Sequence, residues 1–225
     1  NFISEMQVLN KYKKIATCSK KKNKELFNST IGGMGLTGII LNVTIKLLKI
    51  ESSLIYQKKV FTKDLEETMN FFEKKTNKYS VAWLNFNFKN KKLGCSIIFL
   101  GEHATKRNLK KNKISKKMNF QGKTKITIPF LLPFSIFNFI TITIFNYLYF
   151  NFQRMKLDSF VDIDNYFYPL DRINYWNRLY GVNGFIQYQF VLPKKTSYEG
   201  LKEICNYLIT KKLIPFLPVL KFFKR

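Results

Sequence analysis

The chain has 225 residues, of which 46% are hydrophobic and 16% aromatic, a composition that is typical of globular proteins and excludes collagen-like, low-complexity and disulfide-scaffold classes. Its 39 Lys and Arg residues against 14 Asp and Glu residues give a net charge of +25, which by itself points to nucleic acid or an anionic membrane as a partner. The charge is scattered through nearly every segment and forms no basic face with interleaved aromatic residues, so we do not expect a nucleic-acid-binding module.

The rarest residue types limit the chemistry. Cys18, Cys95 and Cys205 are far apart and form no CxxC pair, so the sequence indicates neither a disulfide framework nor a thiolate metal site, and a reducing compartment fits best. His103 is the one histidine, which excludes HExxH and other sites that need two imidazoles. We therefore expect no bound metal, and no Ser-His-Asp triad built on any base except His103, which we interpret as a loop histidine.

The first predicted block ends near residue 48. A short strand around Met6 to Leu9 precedes a helical stretch at Glu25 to Phe27, and alternating apolar residues from Leu41 to Leu47 predict a strand. The glycine-rich turn before that strand contains Gly32, Gly33, Gly35 and Gly38. Such a run lets a ligand approach the backbone closely, although a plain tight turn fits equally well, because the spacing is neither a Walker A loop nor GxGxxG before a helix.

Strand and helix signals alternate in the middle of the chain. Tyr56 to Phe61 predicts a strand, and Thr62 is placed to cap a helix with apolar residues at helical spacing. Two more strands are predicted at Val81 to Phe88 and at Cys95 to Leu100. The basic stretch from Lys106 to Lys117 is interpreted as a solvated loop rather than a lipid or RNA contact.

The segment Ile126 to Phe150 has no charged residue and is long enough to cross a bilayer. Pro129, Pro133 and recurring Ser, Thr and Asn side chains argue against a span, since each is costly in hydrocarbon. We favour an apolar segment that lies on the protein or at a membrane interface, where the Arg154-Met155-Lys156 flank suits anionic headgroups.

The last third is predicted as helix, strand, helix and strand, which implies a βαβ-like or split βαβ unit and an α+β class. The predicted elements are a short helix from Asp171 to Tyr180, a strand from Gly184 to Leu192, a helix opened by a capping box at Thr196 to Glu199, and a strand from Pro215 to Phe223.

Two features of these strands suggest a polar site. Gln187 and Gln189 share one strand face and suit a polyol or a flavin edge, although glutamine is also ordinary on a half-exposed sheet. Lys221 lies in an apolar row, where it either snorkels to solvent or, if buried beside the glutamines, holds a substrate oxygen as negative charge develops.

Several motifs in order give the sequence a family resemblance. They are GGMGLTGIILNVTIKL (32–47), YSVAW (79–83), GEHA (101–104), YPLDRINYWNRLYG (168–181), GFIQYQFVLP (184–193) and FLPVLKFF (216–223). Together they resemble the decaprenylphosphoryl-β-D-ribose 2′-oxidases, which are FAD-linked oxidases of the vanillyl-alcohol-oxidase superfamily, related to the aldonolactone oxidases. The resemblance covers nearly the whole chain.

The resemblance implies domains and site residues. Residues 1–48 would end a PCMH-type FAD-binding domain, and residues 49–225 would form an antiparallel-sheet substrate (cap) domain with helices on one face. Gln187, Gln189 and Lys221 would be catalytic and converge on one cavity beside the isoalloxazine ring. The residues that bind FAD would be Gly32, Gly33, Gly35, Leu36, Thr37, Gly38, Ile39 and Ile40. The substrate pocket would contain Trp83, Phe167, Leu170, Arg178, Leu217 and Val219, with Phe167 standing where the family often has Tyr.

The resemblance also implies a reaction and partners. With FAD as cofactor, the 2′ carbinol of a polyprenylphosphoryl ribose would be oxidised to the 2′-keto sugar, and a short-chain-type reductase would complete epimerisation to arabinose. The implied location is cytoplasmic and peripheral at the inner membrane, against anionic lipid and without nucleic acid. Because the family carries further flavin-domain sequence on both sides of the matching region, we expect this chain to be an incomplete fragment that binds FAD poorly and shows no turnover. The alternatives are an aldonolactone or other sugar-alcohol FAD oxidase, a basic nucleic-acid-binding protein and a membrane-anchored protein.

Overall fold

The computed structural model describes residues 2–74, 77–86, 94–114, 118, 126–213 and 215–223. The chain divides into two compact units, Asn1–Ile50 and Glu51–Arg225. Both combine antiparallel sheets with helices, which confirms the predicted α+β class. The assignment of the two units to a PCMH-type flavin domain and a cap domain stays a prediction.

The first unit is a three-stranded sheet with one short helix. Its elements are β1 (Ile3–Leu9), β2 (Ile15–Ser19), α1 (Lys24–Thr30) and β3 (Ile39–Ile45), and the strand order is β2-β1-β3. Met6, Val8, Cys18 and Phe27 form its core. The predicted strands and helix are confirmed, and every residue of β3 is exposed.

The second unit contains seven strands and five helices among its described residues. The strands are β4 (Leu54–Thr62), β5 (Tyr79–Asn85), β6 (Cys95–His103), β7 (Ile126–Thr127), β8 (Asp158–Asp162), β9 (Ile173–Asn174) and β10 (Val219–Leu220). The helices are α2 (Leu65–Lys74), α3 (Lys106–Lys111), α4 (Phe139–Arg154), α5 (Ile163–Phe167) and α6 (Ser197–Thr210). A five-stranded antiparallel sheet runs in the order β10-β5-β6-β4-β8, and β7 pairs with β9 in parallel. In the part of the chain that is described, no helix is both long and apolar enough to cross a bilayer.

Helices lie on both faces of the five-stranded sheet. Phe72 of α2 packs with Ala82 and Ile98 on one face, and α6 joins that side through Leu201. Strand alternation turns Trp83 to the other face, where the ring of Tyr149 from α4 lies 5.0 Å from its ring. The expectation of helices on one face is therefore wrong, because the uncharged segment folds back as α4 and covers the second face.

Two local predictions in the middle of the chain are also wrong. Asp64 rather than Thr62 caps α2, since its Oδ1 accepts from the Glu67 amide at 2.8 Å, whereas the Thr62 hydroxyl is buried against Thr68 and Ser96. The basic stretch begins as helix α3, with the Thr105 side chain as its N-cap. Lys, Arg and Leu are good helix formers, and the Thr105 side chain accepts from the Asn108 amide at 3.2 Å. Residues 115–117 of that stretch lie outside the described residues.

The last third departs most from the predicted elements. Two 3₁₀ turns, Pro169–Arg172 and Trp176–Tyr180, replace the predicted helix, and the left-handed φ of 57° at Tyr175 precedes the second turn. Residues 184–192 form no strand, and only Val219 and Leu220 of the predicted last strand pair, with β5. The split βαβ unit is thus absent from the described residues. A strand needs a hydrogen-bonded neighbour, and alternation of side chains alone does not provide one.

Candidate functional site

In the first unit, the glycine turn adopts a backbone that favours glycine. The φ angles are +74° at Gly32, +78° at Gly35 and +136° at Gly38. A Cβ atom at Gly38 would collide with the carbonyl oxygen of Leu9, whereas a Cβ at Gly32 or Gly35 would meet no atom within 4 Å. Two of the glycines therefore leave the backbone open to a ligand, and the third allows close packing on β1.

The other residues of this turn are also accessible. Leu36 is 89% exposed, Ile39 65% and Ile40 48%, while the Thr37 hydroxyl is hydrogen-bonded to Thr30 at 2.9 Å. An open glycine backbone beside exposed apolar side chains fits a cofactor with a pyrophosphate and a flat ring, because amides suit the first and apolar side chains the second. These residues thus fit FAD, and their contact with it stays a prediction.

In the second unit, the structure brings several predicted substrate residues together. Val219 is the cross-strand partner of Trp83, so their side chains lie on the same face. Leu217 lies just before, and the following Pro218 carbonyl accepts from the Leu84 amide at 3.0 Å.

Lys221 follows directly after the end of β10. Its neighbours Leu220 and Phe222 pack against the core under α2, and Lys221 itself is exposed. Trp83 and Val219 thus lie on one face of the sheet at the edge formed by β10, and the position of the Lys221 ammonium beside them stays a prediction.

Phe167 lies in a separate aromatic cluster. Its ring is 4.9 Å from Tyr79, and the Tyr79 hydroxyl is 3.1 Å from Nε2 of His103. The Tyr166 hydroxyl donates to the carbonyls of Tyr79 and Phe99, each at 3.3 Å. His103 therefore ends strand β6 inside this cluster, so its interpretation as a loop histidine is wrong.

Electrostatics keep the aromatic cluster neutral. Burial, and then the positive charge of Lys78, lower the pKa of His103, and burial raises the pKa of Tyr79. An uncharged imidazole beside an un-ionised phenol suits packing and hydrogen bonding rather than ion binding.

Arg178 has a structural role in the second 3₁₀ turn. Its Nη1 donates to the carbonyls of Ile128 at 2.8 Å and Pro129 at 2.7 Å, and its guanidinium lies 4.1 Å from the Tyr175 ring centroid. Arg178 thereby holds the segment that leads into α4. Leu170 is half-buried in the preceding 3₁₀ turn. A contact of either residue with substrate stays a prediction.

Gln187 and Gln189 lie in the exposed segment 184–193. Phe185 anchors its start through ring contacts with Trp176 at 5.3 Å and Tyr180 at 4.5 Å. Within the described residues, the side chains of Gln187, Gln189 and Lys221 make no hydrogen bond or ion pair, with one another or with any other group. Their convergence on one cavity stays a prediction.

Two buried polar residues near Trp83 have no recognisable signal in the sequence. Asn85 on β5 and Asn146 on α4 are 6% and 2% exposed. The uncharged segment marked Asn146 only as a polar residue that argues against a membrane span. The packing of α4 on the sheet is what reveals its buried position.

Comparison with known proteins supports the resemblance. No protein-family model matches the chain. The chain is 31% identical over 204 residues to decaprenylphosphoryl-beta-D-ribose oxidase of Mycolicibacterium smegmatis. The match covers 89% of this chain and 44% of that protein, so the chain spans less than half the length of the curated relative.

Proposed function

The chain belongs to the decaprenylphosphoryl-β-D-ribose oxidase family, and from that premise we propose that it takes part in FAD-dependent oxidation of the 2′-hydroxyl of a polyprenylphosphoryl-β-D-ribose to the 2′-keto sugar. A short-chain-type reductase would then reduce the ketone in an arabinose-donor epimerisation. The identity of 31% over 89% of the chain is the observation that carries the proposal, and the order of the six motifs supports it.

The proposed roles follow from what each part of the chain offers. FAD, when bound at the glycine turn, supplies a two-electron acceptor. Trp83 and Val219 offer an apolar wall to the sugar. The ammonium of Lys221, two residues after Val219 in the chain, would stabilise the sugar oxygen as it gains negative charge, and Gln187 and Gln189 would orient the hydroxyls.

A chimera tests the proposal. The 204 residues of this chain that match replace their counterparts in the M. smegmatis oxidase, and oxidation of farnesylphosphoryl-β-D-ribose is measured together with the flavin absorbance band. We expect flavin binding and turnover. Lys221→Ala should lower kcat/KM by about a hundredfold or more without loss of flavin, because it removes a charge-stabilising group.

The matched control is Lys195→Ala, which removes an exposed lysine outside the proposed site and should leave kcat/KM unchanged. A chimera that binds flavin and oxidises an aldonolactone instead of the phosphoryl ribose would favour the sugar-lactone oxidase alternative. A flavin-bound chimera that oxidises neither substrate would contradict the proposal.

We also propose that α4 contacts an anionic membrane. Its outward face presents Ile140, Ile144, Leu148 and Phe152, which are 67%, 53%, 59% and 70% exposed and recur at helical spacing. No acidic or basic residue interrupts this face. An exposed apolar face of this length is costly in water and suits the boundary between headgroups and acyl chains.

A basic group at the end of α4 supports an anionic lipid as the partner. Arg154 ends the helix and Lys156 follows it, and both are exposed. Burial, and then the positive charge of Lys156, lower the pKa of Lys59 on β4. Like charges gathered beside an apolar face are relieved by anionic headgroups.

Vesicle co-sedimentation tests the membrane proposal. The chain should bind phosphatidylglycerol-containing vesicles more strongly than pure phosphatidylcholine vesicles, and Leu148→Asp should weaken that binding. Tyr207→Asp on α6, where Tyr207 is also exposed, is the control and should have no effect. Equal binding to both lipids, or binding that Leu148→Asp leaves intact, would contradict the membrane proposal.

A further inference from the structure

Beneath α4, the second unit buries polar atoms that have no hydrogen-bond partner among the described residues. These atoms are Nδ2 and Oδ1 of Asn146, Oδ1 of Asn85 and Nε1 of Trp83. Their side chains are 2%, 6% and 3% exposed. Buried polar atoms are nearly always paired in folded proteins, because an unpaired one loses its hydration without compensation. Three such side chains in one region indicate a place for a polar group that the described chain does not supply.

The three side chains lie between strand β5 and helix α4. Trp83 and Asn85 alternate with Leu84 on β5 and therefore point to one face of the sheet. α4 covers that face, where the Tyr149 ring lies 5.0 Å from the Trp83 ring. Asn146 lies one turn before Tyr149 and, with Ile142, on the buried side of the helix. Its amide is thereby turned towards the face that carries Trp83 and Asn85.

The hydrogen-bond donors and acceptors of these three side chains indicate which class of ligand would bind between them. The indole N–H only donates, the Asn85 oxygen accepts, and the Asn146 amide does both. None of the three side chains carries a charge, so the set does not suit a phosphate or a carboxylate. A pair of neighbouring hydroxyl groups, each of which donates and accepts, satisfies all of these atoms. Val219 lies opposite Trp83 on the neighbouring strand, so the set adjoins the apolar wall that the proposed function assigns to the sugar.

We propose that Asn146 and Asn85, together with Trp83, form a subsite for two hydroxyls of a neutral sugar ring between strand β5 and helix α4. The identity of the sugar as ribose rests on the proposed function; the hydroxyl subsite rests on the buried atoms. Tyr149, Phe150 and Arg154 hold α4 on this face through their side chains.

Fluorescence of Trp83 tests the subsite directly in this chain. The chain has two tryptophans, so Trp176→Phe leaves Trp83 as the single reporter. The probes are farnesylphosphoryl-β-D-ribose and its 2,3-dideoxy analogue, which lacks the ring hydroxyls. We expect the first to change the Trp83 emission and the second to bind at least about tenfold more weakly, since the loss of one hydrogen bond accounts for that ratio.

Asn146→Leu gives a signature that a purely structural asparagine does not. The leucine removes both unpaired atoms at similar volume, so the ligand-free variant should unfold at a temperature higher by about 2–4 °C, while the probe binds about tenfold more weakly. Asn151→Leu, on the exposed side of α4, is the control and should leave probe binding unchanged. If Asn146→Leu is less stable and probe binding is unchanged, the subsite proposal is wrong. The Asn146 amide would then be hydrogen-bonded to a bound water rather than to a ligand.

Probe binding and turnover of the chimera test the subsite and the proposed function separately. Hydroxyl-dependent binding that Asn146→Leu weakens supports the subsite even where the chimera does not oxidise the sugar. Turnover in the chimera that is insensitive to Asn146→Leu and Asn85→Leu supports the oxidase and overturns the subsite.

Discussion

His103 shows how its neighbours fix the state of a single residue. The imidazole packs edge-on against Tyr79, with ring centroids 5.4 Å apart, and shares a hydrogen bond with its hydroxyl. Nδ1 is buried without a partner among the described residues. Protonation would place a charge there next to Lys78, so the neutral form is favoured.

The lone histidine allows a direct measurement. In a proton NMR titration, its ring signals should report a pKa below the ordinary value of about 6.5, and Lys78→Met should raise that pKa. Because the folded-state pKa is lowered, the associated stability is present above about pH 6.5 and is lost as the pH falls through the folded pKa. A pKa at or above the ordinary value would contradict this environment, and Lys195→Met serves as the control.

Two glycines of the turn differ in what an added methyl group would meet. Both Gly35 and Gly38 have positive φ, but only at Gly38 would a Cβ meet the Leu9 carbonyl. Gly35→Ala should cost about 1 kcal/mol from backbone strain alone, and Gly38→Ala about 3 kcal/mol or more because β1 must shift. Urea unfolding of the two variants measures the difference, and equal costs would contradict the close packing at Gly38.

At the scale of elements, the sequence predicted correctly those helices and strands whose formation depends on the local spacing of apolar residues. β4, α2, β5 and β6 were predicted because apolar residues such as Leu65, Met69 and Phe72 recur at the period of the element that buries them. The strand expected at 184–192 failed because its alternation is real but no neighbour pairs with it in the described residues. The capping box expected at Thr196 failed because its hydroxyl donates to the Pro193 carbonyl at 3.4 Å.

The candidate site likewise contains residues that the motifs indicated and residues whose position only the packing of the fold reveals. The motifs indicated the glycine turn, Trp83 and Lys221 by resemblance, and the structure puts Trp83 and Val219 on one face. Asn85 and Asn146 belong to no motif, because their burial depends on how α4 packs on the sheet. Long-range packing of this kind leaves no periodic trace in the sequence around either residue.

Helix α4 owes its start to polar residues within the uncharged segment. The Asn138 side chain accepts from the amides of Ile140 and Thr141 at 3.0 Å, and the Thr141 hydroxyl accepts from the Asn138 amide at 3.0 Å. This capping box satisfies amides that would otherwise lack partners. The residues that argued against a membrane span thus define where the helix begins.

Removal of that cap gives a prediction for α4. Asn138→Ala should destabilise the second unit by about 1 kcal/mol and speed hydrogen exchange at Ile140 and Thr141, because two amides lose their acceptor. Asn151→Ala, near the other end of the helix, is the control and should leave those amides protected. Unchanged exchange at both residues would show that the cap does not hold the helix.

For the whole molecule, the net charge of +25 sets a condition on stability. The ion pairs among the described residues include Lys194 with Glu73 at 3.5 Å and Lys202 with Glu199 at 3.9 Å, both exposed. Exposed pairs of this kind contribute little. Ion pairs of this kind therefore do little to offset the repulsion among the excess lysines, which depends instead on screening by dissolved ions.

Salt should stabilise this chain. Raising NaCl from about 20 mM to about 300 mM shortens the screening length severalfold, so the midpoint of thermal unfolding should rise. A sucrose series of equal osmolality is the control for effects that do not involve charge. A midpoint that falls with salt would show that attractive pairs outweigh the repulsion.

Strand β3 has a further consequence for handling the protein. It is an edge strand of its sheet, with β1 as its neighbour on one side, and its Ile, Leu and Val side chains are exposed. Its outer rim is therefore a template on which a stray β-segment of another molecule can add by backbone pairing. Concentrated preparations should thus form intermolecular β-structure that seeds from this rim, and a lysine or proline introduced there would act as a gatekeeper against aggregation.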